Sequence, residues 1–341
     1  MIMANTVVGV DIAKSVFQIH EVSSVTGEVV SVQVKRARFL QYFVNREPCL
    51  IGMEACGGAQ HWARQLTAMG HTVKLLPAQM VKPFAGGNKS DMADAKAIWV
   101  AVQQPGIREV AIKTEAQQAV LALHRMRQQL VKFRTAQINA LRGLLTEYGE
   151  VMPLGRDALA KMLPGAFERV AELLPGVLID TLREQYARIK ELDRQVLDIE
   201  RRLREWHKED EACKRIAAIP GVGLLTATAT VATMGDPKAF RSGREFAAWL
   251  GLVPRQIGTG GRVKLLGISK RGDTYLRTLL IHGARAVLTS SKAPPEWAVN
   301  LSKRRPMNIA VVALANKMAR TLWALLAYQR TYQVGYAVRP V

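Results

Sequence analysis

The order of strand-like and helix-like segments in the first eighty residues is the feature that most constrains the fold. Three β-rich runs come first, in "TVVGVDIA", "SVFQIHEV" and "VVSVQV". Two helix-like segments follow, and they alternate with two short apolar strands, "CLIGME" and "TVKLLP". Period-two alternation predicts strands, whereas apolar residues three and four apart predict helices. The order β-β-β-α-β-α-β therefore predicts a mixed sheet covered by helices.

The middle of the chain is predicted to be helical. From Ile189 to Trp206 apolar residues alternate three and four apart, and a similar repeat runs from Val120 to Tyr148. Such repeats predict long helices that form either an antiparallel hairpin or a coiled coil between subunits. We favour pairing between subunits, because a hairpin that projects alone would leave its seam in water. The pattern therefore predicts a homo-oligomer, a dimer or a tetramer.

The chain is strongly basic, and part of the charge is concentrated. Lys and Arg number 48 against 28 Asp and Glu, which gives a formal charge of +20. Between Arg255 and Arg305, eleven basic residues stand against two acids, so these 51 residues carry +9. Charge of this kind predicts a polyanionic partner, either nucleic acid or an acidic membrane surface. A basic protein with an ordinary solvated surface is the simpler alternative.

Neither the cysteines nor the apolar segments indicate a secreted or membrane protein. Cys49, Cys56 and Cys213 have no paired spacing, which predicts neither a disulfide framework nor a cysteine zinc site. The N-terminal residues lack the pattern of a signal peptide. The most apolar late stretch, residues 309–327, contains an asparagine and two basic residues, so we expect an amphipathic helix without a membrane span. These features favour a cytoplasmic location.

Four carboxylates are candidate site residues. Asp91 and Asp94 lie three residues apart at the start of a predicted helix, for which Ser90 is a suitable N-cap. The helix dipole alone would account for that pair. Asp11, however, interrupts an apolar strand, and Glu54 ends another. A carboxylate in a central strand is costly unless it is paired or bound to a metal.

A divalent metal would explain the four acids together. If they converge, neighbours about 4 Å apart repel by roughly 4 kcal/mol per pair at an effective dielectric near 20. Oxygen donors without His or Cys favour Mg²⁺ or Mn²⁺ over zinc. Two such ions can activate a nucleophile and stabilise the leaving oxygen of a phosphodiester. The sequence therefore predicts metal-dependent phosphodiester chemistry.

The motifs resemble those of a known family. An Asp on the first strand, a Glu after the fourth and a late D-x-x-D resemble the RNase H-like fold of RuvC-type nucleases. With "GLVPRQ", "TGG" and "GISKRGDTYLR", nearly the whole chain resembles a DEDD transposase of the bacterial insertion sequence 110 family, closest to its insertion sequence 1111 branch. The resemblance implies an α/β, RuvC-like N-terminal domain, a helical or coiled-coil middle and a mainly helical transposase domain. We place these domains at residues 1–118, 119–210 and 211–341.

The resemblance also implies roles for particular residues. The metal acids would be Asp11, Glu54, Asp91 and Asp94. The family uses a nucleophilic serine just before a glycine, and the matching residue here is Thr259, with Ser269 as a second candidate hydroxyl. The extra methyl group of a threonine crowds an in-line approach to phosphorus, so its positioning must be good. The alternative is that "GTGG" is only a tight turn.

The nucleic-acid contacts are predicted to come from a turn and from basic residues. The "PGVG" segment resembles the hairpin of a helix-hairpin-helix element, in which backbone N–H groups meet a phosphate, although a plain turn also explains it. The single histidines, including His20, His61 and His282, are expected to be structural. The predicted contacts are Gly221, Gly223, Arg255, Arg262, Lys264, Lys270, Arg271 and Arg277.

The predicted function is that of a recombinase of a mobile element. Family resemblance implies that it cuts and rejoins DNA, guided by a structured bridge RNA that pairs with donor and target DNA. One alternative is a metal-dependent junction nuclease that uses water and leaves unjoined products. Another is a binding protein that keeps an inactive nuclease fold, although the presence of all four acids argues against it.

Overall fold

The computed structural model describes residues 6–23, 26–86 and 90–333. Contacts within the chain divide it into two units, Met1–Glu115 and Ala116–Val341. The helical middle and the C-terminal region thus belong to the same unit by contacts. The division of the chain into three domains stays a prediction.

The first unit is built on a five-stranded mixed sheet, as the order of elements predicts. The strands are β1 (Val7–Asp11), β2 (Val16–Val22), β3 (Val29–Lys35), β4 (Leu50–Glu54) and β5 (Thr72–Leu76). Their order across the sheet is β3-β2-β1-β4-β5. β2 pairs antiparallel with both β1 and β3, whereas β1–β4 and β4–β5 are parallel. The carboxyl ends of β1, β4 and β5 therefore share one edge of the sheet.

Helices cover both faces of this sheet. They are α1 (Phe39–Phe43), α2 (Ala59–Ala68), α3 (Ala78–Val81) and α4 (Asp91–Val102). Val8 and Val10 of β1 point into a core that includes Phe39 of α1 and Trp62 of α2. Side chains alternate along a strand, so Val7, Gly9 and Asp11 face the opposite side, where α4 packs.

The second unit is mainly helical and carries one β-hairpin. Its two long helices are α5 (Glu115–Glu147) and α7 (Gly176–Glu209), and the shorter α6 (Arg156–Ala171) lies between them in the chain. Further helices are α8 (Glu211–Ala217), α9 (Leu224–Met234), α10 (Gly243–Trp249), α11 (Thr274–Ser290), α12 (Glu296–Arg304) and α13 (Met307–Ala327). The hairpin consists of β6 (Pro254–Thr259) and β7 (Arg262–Ile268), which pair antiparallel.

The seam of α7 is buried inside this chain, which corrects one premise of the sequence analysis. Glu200 and Asp193 of α7 pair with Arg127 and Arg134 of α5 in reversed order, so the two helices run antiparallel. From Ile189 to Leu203 the seam residues are less than a tenth exposed, and Trp206 is half-buried. Residues of α5, α6 and α9 contribute to the clusters that contain Ile189, Ile199 and Leu203. The premise that the seam would be wet without a second subunit is therefore wrong for α7, whereas Met126, Phe133, Leu144 and Tyr148 of the repeat from Val120 to Tyr148 are exposed. The homo-oligomer itself stays a prediction.

Helix α13 is a core helix with a charged outer side. Its length and composition alone would allow it to cross a membrane. In the structure, however, residues along its length, including Val311, Leu314 and Leu322, are buried against α10, α11 and α12. Lys317 and Arg320 lie on the exposed side. This is the amphipathic arrangement that the sequence predicts.

Candidate active site and nucleic-acid surface

Two of the four candidate acids lie at the carboxyl ends of neighbouring strands. Asp11 is the last residue of β1 and Glu54 the last of β4. The parallel register pairs Val10 with Met53, so Asp11 and Glu54 are level with each other one position further on. Residues two apart on a strand point to the same face, so Asp11 shares the face of Gly9 and Glu54 shares the face of Gly52. Both glycines lie against α4, so both acids are on the face toward that helix.

The other two acids lie on the first turn of α4. The hydroxyl of Ser90 accepts a hydrogen bond from the Ala93 N–H at 3.2 Å, which confirms Ser90 as the N-cap. Asp91 and Asp94 follow within this turn. The helix is also tied to the sheet, since the Trp99 Nε1–H donates to the Val7 carbonyl at 3.0 Å.

Gly9 allows α4 to lie this close to β1. A Cβ atom at this position would sit 2.4 Å from the carbonyl oxygen of Ala95 and 2.6 Å from the backbone nitrogen of Trp99. The sequence analysis missed the role of Gly9 and of Trp99. The available signal was a glycine inside an apolar strand, which often marks a close approach by another backbone.

The four carboxylates influence one another electrostatically. The pKa of Asp11 is raised from 3.8 to about 6, first by burial and then by Asp94, Asp91 and Glu54. The pKa of the neighbouring Cys56 thiol is also raised, by burial and then by Glu54 and Asp11. The fold thus brings the predicted acids to one edge of the sheet, with a thiol beside them.

The donor set suits a hard divalent cation, but the side chains do not enclose one. Among the residues that the structure describes, no three Asp, Glu, His or Cys side chains are placed to hold a single metal ion. The donors are nevertheless all oxygen atoms, and a cation between them would relieve the repulsion that raises the pKa of Asp11. The residues therefore fit Mg²⁺ or Mn²⁺ in chemistry, and binding requires the side chains to close in.

Thr259 lies at the tip of the exposed β6–β7 hairpin. Gly260 and Gly261 form its two-residue turn with φ values of 56° and 79°, as in a type I′ turn, where both residues need positive φ. Thr259 pairs directly with Arg262 across the turn, so their side chains share one face of the hairpin. Lys264, two residues further along β7, lies on the same face. A hydroxyl and two cations therefore occupy one side of this tip.

The hydroxyl of Ser269, the second candidate nucleophile, is buried in a closely packed loop. Its N–H donates to the Val253 carbonyl at 2.8 Å, whereas its hydroxyl oxygen is buried and has no hydrogen-bond partner in the described part of the chain. The next residue, Lys270, has a left-handed φ of 55°. At Gly272 a Cβ would lie only 1.8 Å from the Trp249 carbonyl oxygen, so this loop is pressed against the end of α10.

The predicted cations do not all lie on the surface. Arg255, Arg262, Lys264, Lys270 and Arg271 are exposed. Arg277, by contrast, is only 7% exposed.

The guanidinium of Arg277 is committed to the fold. Its Nη1 donates to the carbonyls of Leu250 and Arg271 at 2.9 and 2.7 Å, and its Nη2 donates to Thr274 Oγ1 at 3.0 Å. We therefore correct its assignment as a phosphate ligand and regard it as a brace for the loop before α11. Basic residues of a segment look alike in sequence, and only burial separates the two roles.

The two predicted glycines occupy different environments in the turn between α8 and α9. Gly221 has a φ of 83°, and a Cβ there would lie 2.7 Å from the carbonyl oxygen of Gly283 on α11. This close approach gives Gly221 a packing role. Gly223 is exposed and precedes the first residue of α9, where backbone N–H groups lack helical acceptors. Whether either glycine contacts nucleic acid stays a prediction.

A buried histidine that the sequence analysis did not single out connects three helices of the second unit. His124 of α5 is 1% exposed. Its Nδ1 lies 3.0 Å from the Tyr275 hydroxyl of α11, and its Nε2 lies 2.9 Å from Thr228 Oγ1 of α9. Burial, and then the charge of Arg127, lower the pKa of His124 to about 4. No periodic pattern in the sequence signals such a cluster.

Comparison with known proteins identifies the relatives of this chain. A family profile described as transposase IS116/IS110/IS902 matches residues 213–298, and a DEDD IS110 transposase profile matches residues 8–150. The chain is 45% identical to a probable family 20 transposase of Pseudomonas aeruginosa, over 96% of this chain and 98% of that protein. It is 43% identical to the transposase for insertion sequence element IS1111A of Coxiella burnetii, over 96% and 92%. The transposase for IS1328 of Yersinia enterocolitica is 37% identical, over 94% and 96%.

These relatives and the fold define an insertion-sequence transposase, an enzyme that cleaves and transfers DNA strands. The chain belongs to the IS110/IS116/IS902 transposase family. The family resemblance read from the sequence motifs is thereby confirmed.

Proposed function

We propose that this transposase cuts and rejoins DNA with metal-bound carboxylates and a threonine nucleophile. Asp11, Glu54, Asp91 and Asp94 would hold Mg²⁺ or Mn²⁺, and the hydroxyl of Thr259 would attack the phosphodiester. The observation that carries the proposal is the environment of Asp11, whose pKa is raised to about 6 by burial and by the other three acids. A protein that does not bind a cation has little reason to keep four carboxylates in such a place.

The chemistry divides between the two sets of residues. When bound, the ions supply positive charge to the phosphate and to the oxygens that attack and leave. The Thr259 hydroxyl loses its proton while its Oγ1 bonds to phosphorus, and the displaced DNA oxygen takes up a proton. Attack by another DNA hydroxyl on this phosphothreonine reverses the step and releases Thr259. Arg262 and Lys264, on the same face of the hairpin, are suited to hold the phosphate during both steps.

The proposed partners of the protein are nucleic acids and further copies of itself. We extend it to a structured bridge RNA, on the family resemblance, and to DNA at the element ends and the target. The exposed residues Arg255, Lys270 and Arg271 supply charge for backbone contacts. We also propose a homo-oligomer that acts in the cytoplasm on the bacterial nucleoid. Ser269 remains the alternative nucleophile, since its buried hydroxyl has no partner in the described residues.

An excision assay tests this function. Cells carry the protein with its native element flanks, and circular junctions are counted by amplification across the joined ends. We expect circles from the wild type and from Thr259→Ser, because the serine keeps the hydroxyl. We expect at least a hundredfold fewer circles from Thr259→Ala and Asp91→Ala, in line with the loss of a nucleophile or a metal ligand.

Matched variants control for unrelated losses. Thr278→Ala removes an exposed hydroxyl from α11, and Asp180→Ala removes an exposed carboxylate from α7. Both are expected to excise normally. Circles from Thr259→Ala would reject Thr259 as the nucleophile and favour Ser269. Cut but unjoined products that depend on Asp91 and not on Thr259 would favour the junction nuclease.

A further inference from the structure

A second basic feature lies in the first unit, to which the basic segment of residues 255–305 does not belong. It is a surface cleft of about 730 Å³ at one end of β2 and β3. Three cations line it, Lys14, Lys35 and Arg36, and its wall includes the apolar side chains of Val16 and Leu40. None of its described lining residues is acidic. The cleft therefore combines positive charge with an apolar wall.

This cleft lies at the same edge of the sheet as the candidate active site. Val16 pairs with Lys35, and the Arg36 N–H donates to the Ser15 carbonyl at 2.9 Å. Because Asp11 pairs with Gln18, this end of β2 and β3 is the end at which β1 presents Asp11. Leu40 and Trp62 belong to the helices α1 and α2, which pack on the face of Val8 and Val10, so the cleft reaches this edge on the opposite face of the sheet from Asp11.

The floor of the cleft is prepared for an anion. The Arg36 guanidinium lies 5.1 Å from the centre of the Trp62 ring, so the ring holds it in a defined place. Trp62 itself is 7% exposed, and its Nε1–H is buried without an acceptor in the described part of the chain. A buried donor without a partner costs free energy unless something binds it. Because this nitrogen is itself buried, it does not face the open cleft, which presents its cations and its apolar wall to a ligand.

We infer that this cleft binds an unpaired DNA strand at the edge of the sheet where β1 presents Asp11. Phosphates of the strand contact Lys14, Lys35 and Arg36, and the apolar wall contacts a base or sugar. A single strand fits this chemistry because it presents charge and apolar ring faces together. The inference rests on the proposed function only in that the ligand is DNA. None of the residues in the cleft belongs to the proposed catalytic set.

Equilibrium binding tests the inference without any cleavage. The full chain is titrated, in EDTA, into a fluorescent single-stranded DNA of about 20 nucleotides, and fluorescence polarisation is measured over a range of salt concentrations. For single strands, log K falls with log salt at about 0.7 per phosphate contact. The triple variant Lys14→Gln/Lys35→Gln/Arg36→Gln is therefore expected to reduce this slope by about 2. At about 0.15 M salt it should bind roughly 50-fold more weakly.

Two further variants separate the cleft from general charge. Lys161→Gln/Arg188→Gln/Lys208→Gln removes the same number of lysines and arginines from exposed sites on α6 and α7, and it is expected to keep most of the affinity. Trp62→Phe keeps a ring under Arg36 and removes only the N–H. Because this N–H is buried, the variant is expected to change neither the affinity nor the salt slope, and it checks that the ring under Arg36 is sufficient. Thermal unfolding of each variant checks that the fold is retained.

The outcomes distinguish this inference from the proposed function. Equal losses in the two triple variants would overturn the cleft and leave a diffuse basic surface. A loss confined to RNA of the same sequence would overturn the assignment to DNA. Failure of the wild type to bind any DNA would instead reject the proposed function. Normal DNA binding by the cleft variant would reject the inference alone.

Discussion

Asp11 shows how a fold places one side chain where its charge is disfavoured. Burial and three neighbouring carboxylates raise its pKa to about 6, so it ionises less readily in the folded protein than in the unfolded chain. Ionisation of Asp11 therefore lowers the free energy of unfolding as the pH rises from about 4 to about 6, and the loss persists at higher pH. A cation bound between the carboxylates would reverse this penalty.

The substitution Asp11→Asn separates stability from activity. In EDTA at about pH 8, the free energy of unfolding should increase by about 1–3 kcal/mol, because the amide has nearly the same shape and no charge. Millimolar Mg²⁺ should stabilise the wild type more than the variant, and excision should be abolished. Denaturant unfolding with and without Mg²⁺ measures the two stability effects, and the excision assay measures the loss of activity. The surface substitution Asp180→Asn should change neither, and a less stable Asp11→Asn variant would contradict the electrostatic argument.

At the scale of elements, the site depends on how closely α4 approaches β1. Gly9 is the contact point, where the backbone of α4 lies within 2.4 Å of the place that a Cβ would take. The Trp99 indole also ties α4 to β1, because its N–H donates a hydrogen bond to the Val7 carbonyl. The ring of the buried His20 packs edge-on against Trp99, with 5.7 Å between the ring centres. The structural role expected for His20 agrees with this contact.

Gly9→Ala should therefore disturb the site without touching an acid. The methyl group meets backbone atoms of Ala95 and Trp99, so α4 must shift and carry Asp91 and Asp94 away from Asp11. We expect a loss of about 1–3 kcal/mol in the free energy of unfolding, as for other overpacked cores. Excision should fall to the level of the acid variants. Gly57→Ala, where a Cβ meets nothing within 4 Å, is the control, and normal excision by Gly9→Ala would show that α4 need not lie this close.

At the scale of the whole molecule, buried polar contacts complement the apolar cores. His124 joins α5, α9 and α11 through Thr228 and Tyr275, and its pKa is lowered to about 4. The unfolded chain therefore binds a proton at this residue more readily than the folded chain does. Its contribution to stability is present above about pH 6.5 and is lost as the pH falls through about 4.

A pH series of unfolding measurements tests this contribution. Between about pH 8 and pH 5, His124 should account for a loss of about 2 kcal/mol in the free energy of unfolding of the second unit. His124→Gln should be less stable than the wild type at about pH 8 and should lack this part of the pH dependence. His61→Gln, at an exposed position on α2, should keep the wild-type profile. An unchanged pH dependence in His124→Gln would show that His124 is not buried in its neutral form.

The sequence by itself determined the order of elements and the family. Alternating and three-four periodicities respond to local geometry, so the mixed sheet, the long helices and the amphipathic α13 were readable without a structure. The Ser90 cap was readable for the same reason. The motifs around Asp11, Glu54, Asp91, Asp94 and Thr259 were sufficient to indicate the transposase family, which the relatives confirm.

Only the tertiary structure decided which residues are exposed and which meet. Arg277 and Arg262 belong to the same basic segment, and the sequence does not distinguish their roles. In the structure Arg277 braces a loop, whereas Arg262 lies on the same face of the hairpin as Thr259. The burial of the α7 seam, the approach at Gly9 and the cleft beside Arg36 likewise depend on contacts between segments far apart in the chain. Such contacts leave no periodic trace in the sequence, because each is fixed by the packing of several elements together.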